Sequence, residues 1–245
     1  MATYKQIFGQ KIKALSADPP AAQGEGQIWY NSTTDTFKSS VTTAAWASAP
    51  SLNTAREGIG GFGIQTAAVG VGGESPPLTN ATEEYNGSSW TTSPATMNTT
   101  RIRVGTAGIL TAGLIFGGYT GGGAPGVVNN TESYNGTAWT SSPYNLNTAR
   151  INLAGAGTST SALAFGGTTI PGYLDATESF DGEGWTSVNS LNTSRLGLAG
   201  AGVSDTSALA FGGETSSPPA VATNATESWD GTNWTAVNSL NTARY

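Results

Sequence analysis

Two charged residue types recur on a schedule in this chain, and chemistry would begin with them. Arg56, Arg101, Arg150, Arg195 and Arg244 stand 45, 49, 45 and 49 residues apart, and Glu83, Glu132, Glu178 and Glu227 each fall between successive arginines. A guanidinium and a carboxylate brought together form an ion pair, and two carboxylates at a suitable separation can cleave a glycosidic bond. A group present in every unit is structural, so a ring of Arg–Glu pairs tying neighbouring units or turns is expected. The chain has no histidine and no cysteine. The commonest general base, the commonest metal ligand and the thiol nucleophile are therefore missing together. No acidic pair stands outside the repeat pattern, which sets aside a polysaccharide-cleaving enzyme. The expectation is a non-enzymatic protein with no catalytic, cofactor-binding or metal-binding residues.

The arginines belong to a phrase, Leu-Asn-Thr-Ala-Arg or a near copy, at 52–56, 97–101, 146–150, 191–195 and 240–244. Behind it come a diglycine (Gly72-Gly73, Gly117-Gly118, Gly166-Gly167, Gly212-Gly213), a Thr-Glu-x-aromatic segment with Asn-Gly or Asp-Gly, and a tryptophan: Trp90, Trp139, Trp185 or Trp234. A period of this length fits one four-stranded propeller blade. Four complete units are predicted over 57–101, 102–150, 151–195 and 196–245. Within each, a glycine-rich segment reads as an innermost strand where backbones approach closely. The apolar run before the diglycine reads as a strand buried on both faces. Asn-Gly or Asp-Gly then joins the third strand to a fourth that opens at the Trp, its positive φ angles making a tight hairpin.

Length variation is concentrated in one place. From Arg to the first glycine of the diglycine the spacing is 16, 16, 16 and 17 residues, whereas the segment from diglycine to the following Thr holds 8, 12, 9 and 12. These loops are equivalent and should emerge on one face, where repeat proteins place binding variation. Tyr119, Tyr173, Leu174, Asp175 and Glu214 are the candidate binding residues there, the alternative being loops that are drifting spacers.

Only 11% of residues are charged, and the net charge is −6. Phosphate neutralisation needs clustered Lys and Arg, so no nucleic-acid partner is expected. All four lysines, Lys5, Lys11, Lys13 and Lys38, precede the repeats. No apolar stretch reaches the ~18 residues of a membrane-spanning helix, and the start lacks a secretory signal, so neither membrane insertion nor ordinary export is expected. Sequons such as Asn80-Ala81-Thr82 are generated by the repeat and need a secreted context to be used.

Diglycine, then an aromatic followed by a Trp, at a period of 45 to 50 residues, resembles the kelch repeat of β-propellers over roughly residues 57 to 244. The aromatic-to-Trp gap of five residues, as in Tyr85 to Trp90, is slightly shorter than usual, so the units are kelch-like. The copper site of a galactose-oxidase-type kelch enzyme needs Cys and His, which this chain lacks. The Asp-Gly-x-x-Trp turns at Asp181 and Asp230 are similar to sialidase Asp boxes, themselves structural, but differ in glycine spacing. The N-terminal Lys11-Ile12-Lys13, the Asp18-Pro19-Pro20 turn and above all Glu25-Gly26-Gln27-Ile28-Trp29-Tyr30-Asn31 look like the opening of virion proteins in tailed phages, particularly marine and cyanobacterial ones. That resemblance implies a tail-fibre, tail-associated or head-decoration component assembled in the host cytoplasm. Its N-terminus would dock to other virion proteins and its repeats would face outward to a host-surface glycan or protein. A cellular kelch-like scaffold for protein interactions is the alternative.

The expected fold is all-β: a kelch-like β-propeller of four complete blades plus an N-terminal half-blade. Residues 1–25 are read as an attachment segment, with a weak helical pattern over 3–16 and either a docking or a disordered role. Residues 26–56 are read as a partial blade, Ile28–Asn31 matching a third strand and Trp46 the tryptophan of a fourth. The missing inner strands leave three ways to finish the ring: four blades with an extra hairpin, an incomplete five-bladed ring, or completion by another subunit. An exposed half-blade edge needs cover, so a homo-oligomer or docked partner is predicted.

Overall fold

The computed structural model describes residues 3–7, 10–17, 28–39, 48–121, 126–170, 172–215 and 221–245; among them the regular structure is β-strand, with no helix. The chain divides into two compact units, Met1–Ala49 and Pro50–Tyr245.

The first unit is one sheet in the order β1 (Thr3–Ile7), β2 (Gln10–Leu15), β3 (Ile28–Asn31), β4 (Thr36–Ser39). β1 and β2 pair antiparallel, β2 runs parallel to β3, and β3 pairs antiparallel with β4. Thr3–Ile7 and Gln10–Leu15 are therefore strands where a weak helical pattern was expected: two short runs separated in sequence by two residues, one a glycine, have the spacing of a hairpin. Asn31 Oδ1 accepts the Thr33 and Thr34 N–H groups at 3.0 and 3.1 Å, and that side-chain turn sends the chain directly into β4. Thr36–Ser39 thus takes the place beside β3 that was expected of the segment opening at Trp46, which lies outside the described residues. The 18–20 turn and Glu25–Gln27 lie outside them as well.

In the second unit each repeat is a four-stranded antiparallel meander. The first sheet is β5 (Gly60–Ile64), β6 (Ala67–Val71), β7 (Thr82–Tyr85) and β8 (Trp90–Thr92). The second is β9 (Gly105–Ile109), β10 (Ala112–Phe116), β11 (Thr131–Tyr134) and β12 (Trp139–Ser141). The third is β13 (Ala154–Thr158), β14 (Ser161–Phe165), β15 (Thr177–Phe180) and β16 (Trp185–Val188). After β17 (Arg195–Leu196) the fourth comprises β18 (Ala199–Ser204), β19 (Ser207–Phe211), β22 (Thr226–Trp229) and β23 (Trp234–Val237). β20 (Glu214–Thr215) and β21 (Val221–Ala222) extend β17 into a small separate ladder. The 17-residue spacing of the last unit is absorbed as a register shift between Gly202 and Ser204.

The hairpins between third and fourth strands are four-residue loops, and they differ from expectation in one respect. Only the glycine has positive φ, as at Gly136 (92°). Asn135 instead uses its side chain, accepting the Thr137 and Ala138 N–H groups at 2.9 and 2.8 Å. An Asp does the same at 181 and 230, which explains why the two residues interchange. The aromatic before the turn packs on the Trp after it, Tyr134 on Trp139 at 4.8 Å and Phe180 on Trp185 at 5.0 Å.

Successive sheets stack through their inner strands, β5 against β9, β9 against β13 and β13 against β18, in a propeller-like arrangement. Glycine makes the approach possible: a Cβ on Gly155 would meet the Thr106 carbonyl oxygen at 2.3 Å. Each junction encloses its own apolar cluster. The junction is signed by a repeated contact, in which the Trp of one sheet donates its indole N–H to the Thr of the sheet before: Trp139 to Thr82 (2.9 Å), Trp185 to Thr131 (3.1 Å), Trp234 to Thr177 (3.0 Å). Phe116 and Phe165 pack against the Trp185 and Trp234 rings of the following sheet at 4.8 and 4.9 Å. Burying each such aromatic contributes about 1.5–3 kcal/mol.

A backbone relay also crosses the junctions. Arg103 N–H donates to Gly58 O (2.8 Å), Asn152 N–H to Arg103 O (3.1 Å) and Gly197 N–H to Asn152 O (2.9 Å). All four residues have positive φ, between 53° and 62°. Among the described residues no strand of the fourth sheet packs on the first as the successive sheets do, so the array has two open ends.

Candidate functional site

The recurrent arginines and glutamates do meet. Arg56–Glu83, Arg101–Glu132, Arg150–Glu178 and Arg195–Glu227 pair at 3.0, 2.9, 2.7 and 2.6 Å with side chains essentially inaccessible to solvent. Each pair forms a joint. Arg150 donates Nη1–H to the carbonyls of Gly166 and Ala176, while Glu178 accepts the Asn147 and Thr148 N–H groups of the phrase that carries Arg150. On its other side the phrase is held by the preceding sheet, since Gly118 N–H donates to Arg150 O and Leu146 N–H to Asn129 O. Burial pushes the guanidinium pKa of Arg101, Arg150 and Arg195 down, opposed by the partner carboxylates, yet an arginine stays charged. The Nε–H groups of Arg56, Arg101, Arg150 and Arg195 are buried with no partner among the described residues. Arg244 differs from the other four: it is exposed and meets no carboxylate. Trp139, Trp185 and Trp234 are buried in the junctions, and Trp90, on the first sheet, is half-buried.

The loops behind the diglycines emerge on one edge of the sheets, opposite the tight hairpins. Each makes the same small ladder: Glu57, Glu74 and Leu78; Ile102, Tyr119 and Val127; Ile151, Thr168 and Tyr173; β17, β20 and β21. Tyr119 and Glu214 are therefore ladder residues. Tyr173 donates its hydroxyl to Glu214, which joins the third loop to the fourth, and that hydrogen bond holds the Tyr173 phenol pKa above its ordinary value. Leu174 and Asp175 serve through their backbones, Leu174 O accepting from Arg195 N–H and Asp175 O from Leu191 N–H. The loops thus bring Tyr173 and Glu214 together, while Tyr119 stands apart in the second loop.

A cleft of about 430 Å³ lies elsewhere, between the second and third sheets. One wall is the face of the second sheet, with Leu114, Ser133 and Thr140. Thr111, Asn135, Ser159, Thr160 and Gly182 come from hairpin turns, and Phe180, Ser142, Pro143 and Tyr144 complete it. No lining residue is charged. Tyr144 is 43% exposed at the rim.

At the other two junctions side chains fill or bridge the equivalent gap. In the first, the hairpin residue is Leu110, packed on the cluster, and Tyr134 reaches across to donate to Glu84 at 2.5 Å. Burial pushes that phenol up to about 12, with the Glu84 hydrogen bond adding to the shift. In the third junction the hairpin residue is Asp205, which accepts from Ser161 (2.6 Å) and Ser179 (3.1 Å), while Trp229 donates to its carbonyl (2.8 Å). At the second junction the equivalent positions hold Ser159 and Phe180. A small hydroxyl and a ring without a polar atom neither fill nor bridge the gap, and a cleft remains. Tyr144 stands where the first unit has Ala95.

The cleft offers an aromatic rim, an apolar floor and a ring of hydroxyl and amide groups, a set suited to holding a neutral polyhydroxylated ligand. Among the described residues there is no cluster of three His, Cys, Asp or Glu side chains able to hold a metal. No protein-family model matches the chain, and no curated protein is significantly similar to it.

Proposed function

We propose that the chain is a kelch-like β-propeller repeat protein serving as a non-enzymatic structural component of a tailed-phage virion. Its N-terminal region docks on other virion proteins, and its repeats are displayed outward to bind a neutral glycan of the host surface. The observation that carries the binding half is the uncharged cleft with Tyr144 at its rim. Sugar rings present C–H faces that pack on aromatic side chains and hydroxyls that exchange hydrogen bonds with Ser, Thr and Asn. A carboxylate pair for hydrolysis has no counterpart in the lining. The virion half rests on the Glu25–Asn31 opening and its resemblance to phage particle proteins, and tail fibre, tail-associated and head-decoration positions all fit it.

The binding half is tested by incubating the protein with host envelope polysaccharide and neutral oligosaccharides, with and without Tyr144→Ala. Retention that depends on Tyr144, with no oligosaccharide released, is the expected result. Binding unaffected by the substitution sinks the cleft as the site, and released oligosaccharide overturns the non-enzymatic reading. The virion half is tested by electron microscopy of whole particles labelled with antibody to the repeats; unlabelled particles refute it.

A further inference from the structure

The two open ends of the array differ from its interior in a specific way. In the fourth sheet Leu209 is 40% exposed, whereas the equivalent Val69, Leu114 and Leu163 are 0–1% exposed, each covered by the following sheet. Phe211 is half-buried where Phe116 and Phe165 are fully buried. At the other end Trp90 is half-buried, while Trp139, Trp185 and Trp234 are 5–7% exposed. One end is thus a following face without a follower, and the other a preceding face without a predecessor.

The polar groups tell the same story. Thr82, Thr131 and Thr177 each accept an indole N–H from the next sheet, but Thr226 Oγ1 is buried with no partner. Trp90, the indole with no preceding sheet, makes no such bond among the described residues. The backbone relay likewise stops with the Gly197 carbonyl at one end and the Gly58 N–H at the other, neither meeting a further relay partner among the described residues. Every group left over at the fourth sheet has its complement left over at the first.

We infer that the occupant of each open end is a second copy of this chain, docked head to tail. The fourth sheet of one copy receives the first sheet of the other, with Trp90 packing on Phe211 and donating to Thr226, and Gly58 N–H donating to Gly197 O. The interface extends the junctions already present three times within the chain. It requires one of two phrases to yield, because the array has five phrases for four Arg–Glu joints. Ser51–Arg56 and Ser239–Arg244 are the same six residues, so either can occupy the shared joint. The first already grips Glu83, and the last already grips the sheet before it, through Gly213 N–H to Arg244 O. Two copies meeting at both ends give a ring of eight sheets, within the range of about four to eight blades that propellers adopt. This inference rests on the propeller-type stacking and not on the virion role.

The test is the mass of the full chain by light scattering after size exclusion, from about 1 to about 100 µM, a range that reveals micromolar association. The expected mass is twice the 24.8 kDa of one chain. Leu209→Glu places a charge on the open face at a residue already exposed in the single chain, and it should return the protein to one-chain mass with an unchanged β-sheet circular dichroism spectrum. A one-chain mass for the unsubstituted protein at the highest concentration overturns the inference, as does a dimer indifferent to Leu209→Glu. Small-angle scattering of the Leu209→Glu chain separates this from failure of the propeller reading: an arc of four stacked sheets upholds the stacking whatever the dimer does.

Discussion

Arg150 and Arg244 hold the same place in the same five-residue phrase, and the structure gives them opposite environments, so alanine at each separates phrase from context. Arg150 is buried, with Nη2 2.7 Å from Glu178 and Nη1 2.7 Å from the Ala176 carbonyl. Arg150→Ala strands the Glu178 carboxylate in the interior, still holding the Asn147 N–H at 2.7 Å, and leaves the Gly166 and Ala176 carbonyls without their donor. Breaking a buried pair in this way costs about 3–5 kcal/mol. The Arg244 side chain is exposed and, among the described residues, donates to the nearby Thr242 carbonyl alone, so Arg244→Ala should fall within about 0.5 kcal/mol of the parent. Urea unfolding followed by tryptophan fluorescence reads the difference. With a slope of about 2–3 kcal/mol per molar urea, Arg150→Ala should lower the midpoint by about 1–2 M and Arg244→Ala by less than about 0.3 M. Equal shifts would refute the reasoning, because sequence alone cannot tell the two arginines apart.

Three further outcomes follow from the junctions. Thr131→Val leaves the buried Trp185 indole N–H without an acceptor and should cost about 1–3 kcal/mol by the same denaturation assay. Tyr134 should be the late phenol in an alkaline spectrophotometric titration, ionising at about 12 against an ordinary 10.0, and Tyr134→Phe should remove that late step. The sign follows from linkage: between those values the folded chain holds a proton that the unfolded chain has released, so the Tyr134 contribution is complete below pH ~10 and declines as pH rises towards ~12. Ser159→Leu copies the residue that fills the first junction and should close the cleft, abolishing glycan retention while leaving the unfolding free energy within about 1 kcal/mol of the parent; retention that persists would place the binding site elsewhere.

Much of the array is legible because its constraints repeat. A diglycine in which a Cβ on Gly117 would strike the Arg150 carbonyl oxygen at 2.6 Å and one on Gly118 the Ile102 carbonyl oxygen at 2.9 Å, or a Trp that must reach a Thr one sheet away, cannot drift without breaking a junction, and so these residues mark the strands from sequence alone. The Arg–Glu joints were readable for the same reason. The N-terminal strands were hidden because Ile7, Phe8, Ile12 and Leu15 mimic an uneven helical spacing, while the pairing of β2 with β3, Ala14 with Tyr30, is a non-local choice. The cleft was missed for a different reason. It is made by what Ser159 and Phe180 lack relative to Leu110 with Tyr134 and Asp205 with Trp229, and a deficit carries no motif. Aligning the units column by column would have exposed it. The loop residues chosen for their variability were only half informative, since Leu174 and Asp175 work through backbone atoms that any side chain supplies.

The boundary between one repeat and the next passes through the joint, where a phrase belongs to the sheet before it by its backbone and to the sheet after it by its arginine. The first and last phrases are identical from Ser51 to Arg56 and from Ser239 to Arg244, so the two ends of the array carry the same half of a joint. The relay through Gly58, Arg103, Asn152 and Gly197 is made by backbone groups, each residue at positive φ, so every unit meets its neighbours through the same main-chain bond. A unit taken from one arginine to the next glutamate is therefore a self-contained joint, and an array of such units can differ in length while every internal Arg keeps its Glu.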